Sequence, residues 1–321
     1  MKEIQIADIK GVRVGHAQDL NAATGCTVIL AWEGATAGVD VRGGAPGTRE
    51  TDLLAPMNLV QEIHAVVLSG GSSFGLDAAS GVAQYLEEEG VGFDATVARI
   101  PIVCGAVLFD LTVGNPKVRP DRRMGYKACL NAGSPECLEG SVGAGTGATV
   151  GKILGMDRAM KGGVAVCGVQ TGALQVGAVV AVNCLGDVVE PQTGKTLAGV
   201  LDETGERCLN TEDILIRQFA GRPMSFPANT TIGCIITNAR LTKPEAGKVA
   251  AMAHDGYART LRPAHSMVDG DTVFALATGR VEADVTVVGL LAARVVERTV
   301  VRAVKNATPI CGLKTYRDLT G

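Results

Sequence analysis

Twenty-five consecutive residues, Gly162 to Gly186, carry no charged side chain. A run of that length suits either a membrane-spanning helix or backbone buried inside a sheet. Its content argues against the helix, because it holds six Gly, two Gln, a Thr and an Asn. We therefore expect two buried strands within it, Val164–Val169 and Leu174–Val182, around a turn at Gln170-Thr171-Gly172.

The rest of the chain alternates strand and helix signals. Cys26–Leu30, Thr36–Val41 and Ala65–Leu68 read as short strands, and Leu76–Glu89 as a helix closed by Gly90. Further strands are predicted over Asp187–Glu190, Thr230–Thr237 and Thr272–Ala277. Helices are predicted over Thr211–Phe219, Lys243–Thr260 and Ala283–Lys305. The end of the polar stretch 201–229 reads as an exposed linker. Two sheets sandwiched by helices fit this order as well as one doubly wound sheet does.

Composition narrows function by exclusion. A net charge of −3 and 3% aromatic residues leave no basic, stacking surface for nucleic acid. Nine Cys with no C-x-x-C pair suit buried free thiols in a reducing cytoplasm. The opening MKEIQIADIKGVRVGH lacks the apolar region of a signal peptide, so neither export nor a membrane partner is expected. The four His are not spaced as helical pairs, and no metal or cofactor is expected. His254 and His265 flank a helix end, where solvated or capping roles are common.

Three motifs carry chemistry. Gly71-Ser72-Ser73-Phe74-Gly75 matches G-x-S-x-G between a strand and a helix. It reads either as a nucleophile elbow on Ser73, served by His254 or His265, or as a helix start with Ser as cap. Gly143-Ala144-Gly145-Thr146-Gly147, followed by Lys152, matches no phosphate loop in full and reads as a glycine turn. Lys152 is either a solvated charge or a site lysine in an uncharged neighbourhood. The third is Asn229-Thr230-Thr231-Ile232-Gly233-Cys234. It is either an ordinary buried strand or the start of a new chain. A Thr hydroxyl is a weak nucleophile without a base, and a chain-starting Thr carries its own: an α-amine titrating near ~7.7–8. Composition leaves both readings open.

The segment N-T-T-I-G-C-I-I-T-N-A at 229–239 resembles the self-cleavage site of the DmpA-type aminopeptidase family. That family includes L-aminopeptidase/D-esterases, β-peptidyl aminopeptidases and the nylon-oligomer (6-aminohexanoate-oligomer) endo-hydrolase. The resemblance spans nearly the whole chain. It includes G-V-R-V-G-H at 11–16, V-D-V-R-G-G-A-P-G-T-R-E-T-D at 39–52 and V-L-S-G-G-S-S-F-G-L-D-A-A at 67–79. It continues with P-I-V-C-G-A-V-L-F-D-L at 101–111, G-A-G-T-G-A-T-V-G-K at 143–152 and M-V-D-G-D-T-V-F-A-L-A-T-G at 267–279.

The resemblance implies an αββα sandwich of N-terminal-nucleophile type, a single unit over 1–321. It implies a cut between Asn229 and Thr230, giving an α part, 1–229, and a β part, 230–321. Thr230 would be the nucleophile instead of Thr231, because the family places it eight residues before the position of Asn238. Many relatives have Asp there. Asp269 and Asp271 match a Ser/Glu or Asp/Asp pair at the nucleophile, Asn183 an oxyanion-holding asparagine, and Lys152 a site lysine. Implied substrates are short peptides, amino-acid amides and esters, or ω-amino acid oligomers. A homo-oligomer, a tetramer or larger, is expected. The ornithine acetyltransferases share the fold and move acyl groups to amines, so the nucleophile alone does not name the reaction. Two other readings stand beside this one: a serine α/β-hydrolase using Ser73, and a non-catalytic small-molecule-binding protein.

Overall fold

Strands apolar at successive positions bury both of their faces, and in this molecule each face meets a different core. The computed structural model describes residues 1–133, 139–218 and 229–320. Ten strands form one hydrogen-bonded sheet. They are β1 (Lys2–Ile4), β2 (Val12–Asp19), β3 (Thr24–Val41), β4 (Thr48–Arg49), β5 (Glu62–Ser69), β6 (Val103–Val107), β7 (Gly163–Thr171), β8 (Leu174–Val182), β9 (Ile232–Ala239) and β10 (Thr272–Val281). Their order is β1-β7-β8-β9-β10-β3-β5-β6-β4, with β2 also paired to β3. The helices are α1 (Ala78–Glu88), α2 (Arg122–Leu130), α3 (Thr211–Gln218), α4 (Lys243–Thr260), α5 (Val285–Lys305) and α6 (Tyr316–Thr320).

The long strand β3 makes two layers out of one sheet. Its first half pairs with β2 and β5, and its second half, Thr36 to Val41, pairs with β10. Between the halves, pairing with β5 jumps from Leu30–Ala65 to Ala35–Ile63, so β3 advances five residues while β5 advances two. A bulge of this kind bends and twists the strand. The two runs expected as separate strands are therefore one. The polar break Trp32-Glu33-Gly34 between them marks the bend, with Gly34 at φ +80°.

Alternation along the strands then builds three cores. Val179, Ala181, Ile232 and Phe274 from one half pack against Ile29, Val66 and Leu68 from the other. The intervening residues Ala178, Val180, Ile235 and Val273 face α4 and α5. Cys26, Val28, Ala65 and Val67 face α1 and α2. The layers run helix, sheet, sheet, helix: the expected αββα sandwich. The uncharged run forms the β7–β8 hairpin, whose last pair is Thr171 with Leu174. Helix α4 begins where expected. Thr242 and Glu245 close a capping box, and Pro244 occupies the first turn. Helix α2 was not anticipated. The linker reading at residues 219–228 falls outside the described residues.

Among the described residues no helix is long and apolar enough to cross a membrane. Eight described Cys are free thiols; Cys311 is exposed and six of the others are buried.

Candidate active site

Strand register brings four chain segments to one edge of the sheet. Ala181 of β8 pairs with Ile232 of β9 antiparallel, Ile232 pairs with Thr272 of β10 parallel, and Thr272 pairs with Val41 of β3 antiparallel. The end of β8, the starts of β9 and β10 and the end of β3 thus lie side by side. Asn183 follows β8, Asn229, Thr230 and Thr231 precede β9, and Asp269 and Asp271 precede β10. Lys152 enters from the loop after Val150. All five residues singled out as catalytic are buried, with Thr230 2%, Lys152 6% and both Asp 1% exposed. Charged groups are rarely buried this deeply unless paired.

Residues 229–231 extend the parallel ladder with 268–272. Asn229 N–H donates to Val268 O at 2.7 Å, Gly270 N–H to Asn229 O at 2.7 Å, and Thr272 N–H to Thr231 O at 3.2 Å. One rung is replaced by a side chain, since Thr231 N–H donates to Asp271 Oδ1 at 2.8 Å. Thr230 N–H points to the other neighbour, Asn183 O, at 3.0 Å. The Thr230 hydroxyl donates to the carbonyl oxygen of Asn229. A strap after β3 covers the edge: Arg42 N–H donates to Asp271 O at 3.0 Å and Ala45 N–H to Asp269 O at 2.8 Å. Glycine is required at two points of this contact. A Cβ on Gly43 would sit 2.3 Å from Asp269 O, and one on Gly270 would sit 2.8 Å from Thr230 Oγ1.

The electrostatics follow from this packing. Lys152 Nζ donates at 2.9 Å to Asn183 O, the carbonyl that also holds Thr230 N–H. Burial pushes its pKa below the usual lysine range, opposed by the neighbouring carboxylates Asp269 and Asp110. Burial, and then repulsion from Asp271, push Asp269 above the usual carboxylate range. Its bonds from the Ser266 hydroxyl and Leu185 N–H, and the charge of Lys152, work the other way. The Asn183 side chain braces loops in this uncut chain: Nδ2 donates to Phe109 O at 3.1 Å, and Oδ1 accepts Thr149 N–H at 2.9 Å. The N–H on the Asn229 carbonyl oxygen belongs to Gly270. Such an arrangement polarises the Asn229–Thr230 peptide and sets a hydroxyl against it.

The model of peptidase family S58 matches residues 5–317. An uncharacterized aminopeptidase of Mycobacterium tuberculosis is 44% identical, over 98% of this chain and 97% of its own length. The chain belongs to peptidase family S58. It is accordingly a hydrolase acting on peptide C–N bonds. A 6-aminohexanoate-oligomer endohydrolase of Kocuria sp. is 32% identical over 93% of this chain and 85% of that one. The L-aminopeptidase D-Ala-esterase/amidase of Ochrobactrum anthropi, a variant of the Ntn hydrolase fold, superposes with a TM-score of 0.72 at 19% identity, covering 97% of this chain and 90% of that one.

Among the described residues no base is hydrogen-bonded to Ser73, the rival nucleophile of this S58 peptidase. Ser73 lies exposed in a 3-10 turn, and the left-handed strain falls on Ser72, at φ +55°. The histidines that an elbow would enlist are bound elsewhere, His254 to Asp40 O and His265 to Asp271. Asn238 sits at the far end of β9, where its side chain holds Ala173 O and Gln175 N–H of the β7–β8 turn. No group of three His, Cys, Asp or Glu among the described residues is placed to hold a metal.

Several buried polar residues escaped sequence reasoning. His265, expected to be solvated or capping, instead bonds to Asp271, and His254 is fully buried. Ser266 bonds to Asp269. Lys161 is wholly buried, with Nζ on the carbonyls of Gly145, Ala148 and Gly162 at 2.6, 2.9 and 3.2 Å. Burial pushes its pKa down to about 7. The glycine turn thus offers carbonyls to a cation, the reverse of a phosphate loop. A lysine at the border of an uncharged run was the available signal.

Proposed function

We propose that this S58 peptidase cuts itself between Asn229 and Thr230 and then uses Thr230 as an N-terminal nucleophile. The observation that carries the reading is the buried Thr230 hydroxyl on the carbonyl of its own preceding residue, with Gly270 N–H on the same oxygen. In the first step Thr230 Oγ adds to the Asn229 carbonyl carbon, and Gly270 N–H takes the charge that develops on the oxygen. The C–N bond breaks, the Thr230 nitrogen gains the hydroxyl proton, and an ester to Oγ forms. Water cleaves the ester, leaving an Asn229 carboxylate and a free Thr230 amine. Strand order supports a stable cut product, because β9 and β10 lie between β8 and β3. Pieces 1–229 and 230–321 would remain interleaved.

In the mature enzyme the amine takes the Thr230 hydroxyl proton, and Oγ attacks the substrate carbonyl. The amine then hands that proton to the leaving nitrogen, and water releases the acyl group. Asn183 O holds the amine. Lys152 favours its neutral form, and Asp269 and Asp271 favour its charged form. The Asn183 side chain, released from its loop contacts, is assigned to the substrate oxyanion. Names of the relatives support short peptides, amino-acid amides and esters, or ω-amino acid oligomers as substrates. We extend the reading to a cytoplasmic homo-oligomer, a tetramer or larger. The free thiols and the exposed Met57, Leu59 and Val97 support it. Light scattering that finds only monomer would remove the oligomer. Intact-mass analysis of purified protein tests the core of the reading: two species, of 229 and 92 residues, are expected, and one persistent uncut chain would refute it.

A further inference from the structure

Asp271 is gripped at both carboxylate oxygens, and one of the gripping residues has no role so far. Oδ1 accepts Thr231 N–H at 2.8 Å. Oδ2 accepts the backbone N–H of His265 at 2.9 Å and meets its ring Nδ1 at 2.9 Å. An ionised carboxylate only accepts, so the ring proton belongs on Nδ1. His265 has φ +57°, a left-handed conformation uncommon outside glycine, in which Asn, Asp and His are the enriched exceptions. Its ring stands edge-on to His254, with centroids 4.8 Å apart and planes at 74°. His254 is in turn anchored by Nε2–H to Asp40 O of β3 at 3.0 Å. Tyr257 of α4 closes another side, 6.3 Å from the His265 ring. Strand β3 and helix α4 therefore fix where His265 points, and His265 fixes where Asp271 points.

We propose, building on the reading of Thr230 as nucleophile, that His265 is a positioning residue for the hydrolysis. Its Nδ1–H locks the Asp271 carboxylate onto Thr231 N–H, and thereby sets the adjoining Thr230 for attack. Among the described residues the ring makes no hydrogen bond to Thr230 or to the carbonyl it attacks, so its effect passes through Asp271.

His265→Gly and His265→Asn separate the donated proton from the bulk of the ring. Both residues tolerate φ near +57°, so neither strains the turn, and both keep the backbone bond to Asp271. Only Asn keeps a side-chain N–H where Nδ1 stood. The Gly variant is expected to lose about tenfold to hundredfold in kcat, the range of one hydrogen bond to a charged group. Its KM should change by less than about twofold, because the lost interaction is not one of substrate binding. The Asn variant should return to within about threefold of the original kcat. Unchanged kcat in the Gly variant overturns the assignment. So do equal losses in both variants, which would indicate bulk alone, or a loss confined to KM. The rate at which uncut chain yields its two pieces, followed by intact mass, should fall in the same order, so a variant too slow to mature still reports. An original chain that never cuts would instead remove the Thr230 reading, an outcome distinct from any ordering of the two variants.

Discussion

Thr230 and Ser73 are both hydroxyl residues at strand ends, and they stand on different ground. Thr230 is buried, its hydroxyl lies on a carbonyl, and its backbone N–H shares an acceptor with Lys152. Ser73 is exposed, and its hydroxyl makes no bond to a protein group among the described residues. Charge lies beneath both. Below Thr230, Asp269, Asp271 and Lys152 surround the Asn229–Thr230 peptide. Near the Ser73 turn, Asp110 accepts Gly71 N–H and the Thr24 hydroxyl, each at 2.7 Å, and Lys161 clasps three carbonyls. The first set of charges faces the peptide proposed to break. The second faces backbone that must stay put. A nucleophile is therefore recognised by what its neighbours are aimed at, and G-x-S-x-G alone does not supply that.

Removing the Thr230 hydroxyl should give the largest effect. Thr230→Ala is expected to leave a folded chain that stays uncut and has no measurable amidase activity, while Thr230→Ser still cuts. Full cleavage of the Ala variant by intact mass would erase the contrast between the two hydroxyls.

The charges under Thr230 come next. Lys152→Met removes a cation beside the Thr230 amine, so the ammonium form is favoured and the limb of kcat/KM should move to higher pH. Asp271→Asn removes an anion and should move the limb to lower pH. Each change should also lower kcat by about tenfold to hundredfold, the scale of a positioned acid–base group or charged hydrogen bond. Limbs that move in the same direction would mean that the titrating base is not the Thr230 amine.

Much of this edge was legible in the sequence through the resemblance of short motifs to a family, whereas composition and spacing left Thr230 and Lys152 open. Asn183, Thr230, Asp269 and Asp271 sit at strand ends, so strand register carries them together, and Lys152 reaches the same place from the loop after Val150. What was hidden depends on contacts between distant segments. His265 needs the bend that gives it φ +57° and the wall of His254 behind it. Lys161 needs the turn at Gly145 folded over it, which its position in the chain does not reveal. The joining of two predicted strands into β3 depends on a bulge, and the polar residues at that bulge look like a chain break.

Changing the charge on the Ser73 side should leave chemistry alone and alter stability. The pKa of Lys161 is pushed down to about 7 in the fold, against ~10.4 in an unfolded chain. Between these values the unfolded chain binds the extra proton, so stability rises with pH across that window, and below about pH 7 the term is flat. The slope is bounded at about 1.4 kcal/mol per pH unit for one proton. Lys161→Met should remove this rise, seen as urea midpoints at pH 7 and pH 9 whose difference is smaller than in the original chain. kcat of the matured protein should stay within about threefold, since the hydrogen bonds of the Lys161 side chain among the described residues go to Gly145, Ala148 and Gly162 and none to the Thr230 peptide. A large loss of kcat would mean that the two sets of charges act as one.

The smallest effect is expected at Ser73 itself. Ser73→Ala removes an exposed hydroxyl from a 3-10 turn in which Ser72 carries the left-handed backbone and Gly71 makes the bond to Asp110. Substitutions at such surface positions change stability by within about 0.5 kcal/mol. Self-cleavage should proceed at the original rate, because the turn makes no bond to residues 229–231 among the described residues. Hydrolysis should keep its kcat within about twofold, since in the proposed mechanism the Thr230 amine supplies the base. Full self-cleavage accompanied by a collapse of kcat would be the informative failure. It would leave Thr230 as the residue that opens the chain and make Ser73 a direct contact of the substrate, which kcat and KM measured on substrates of increasing length would then locate.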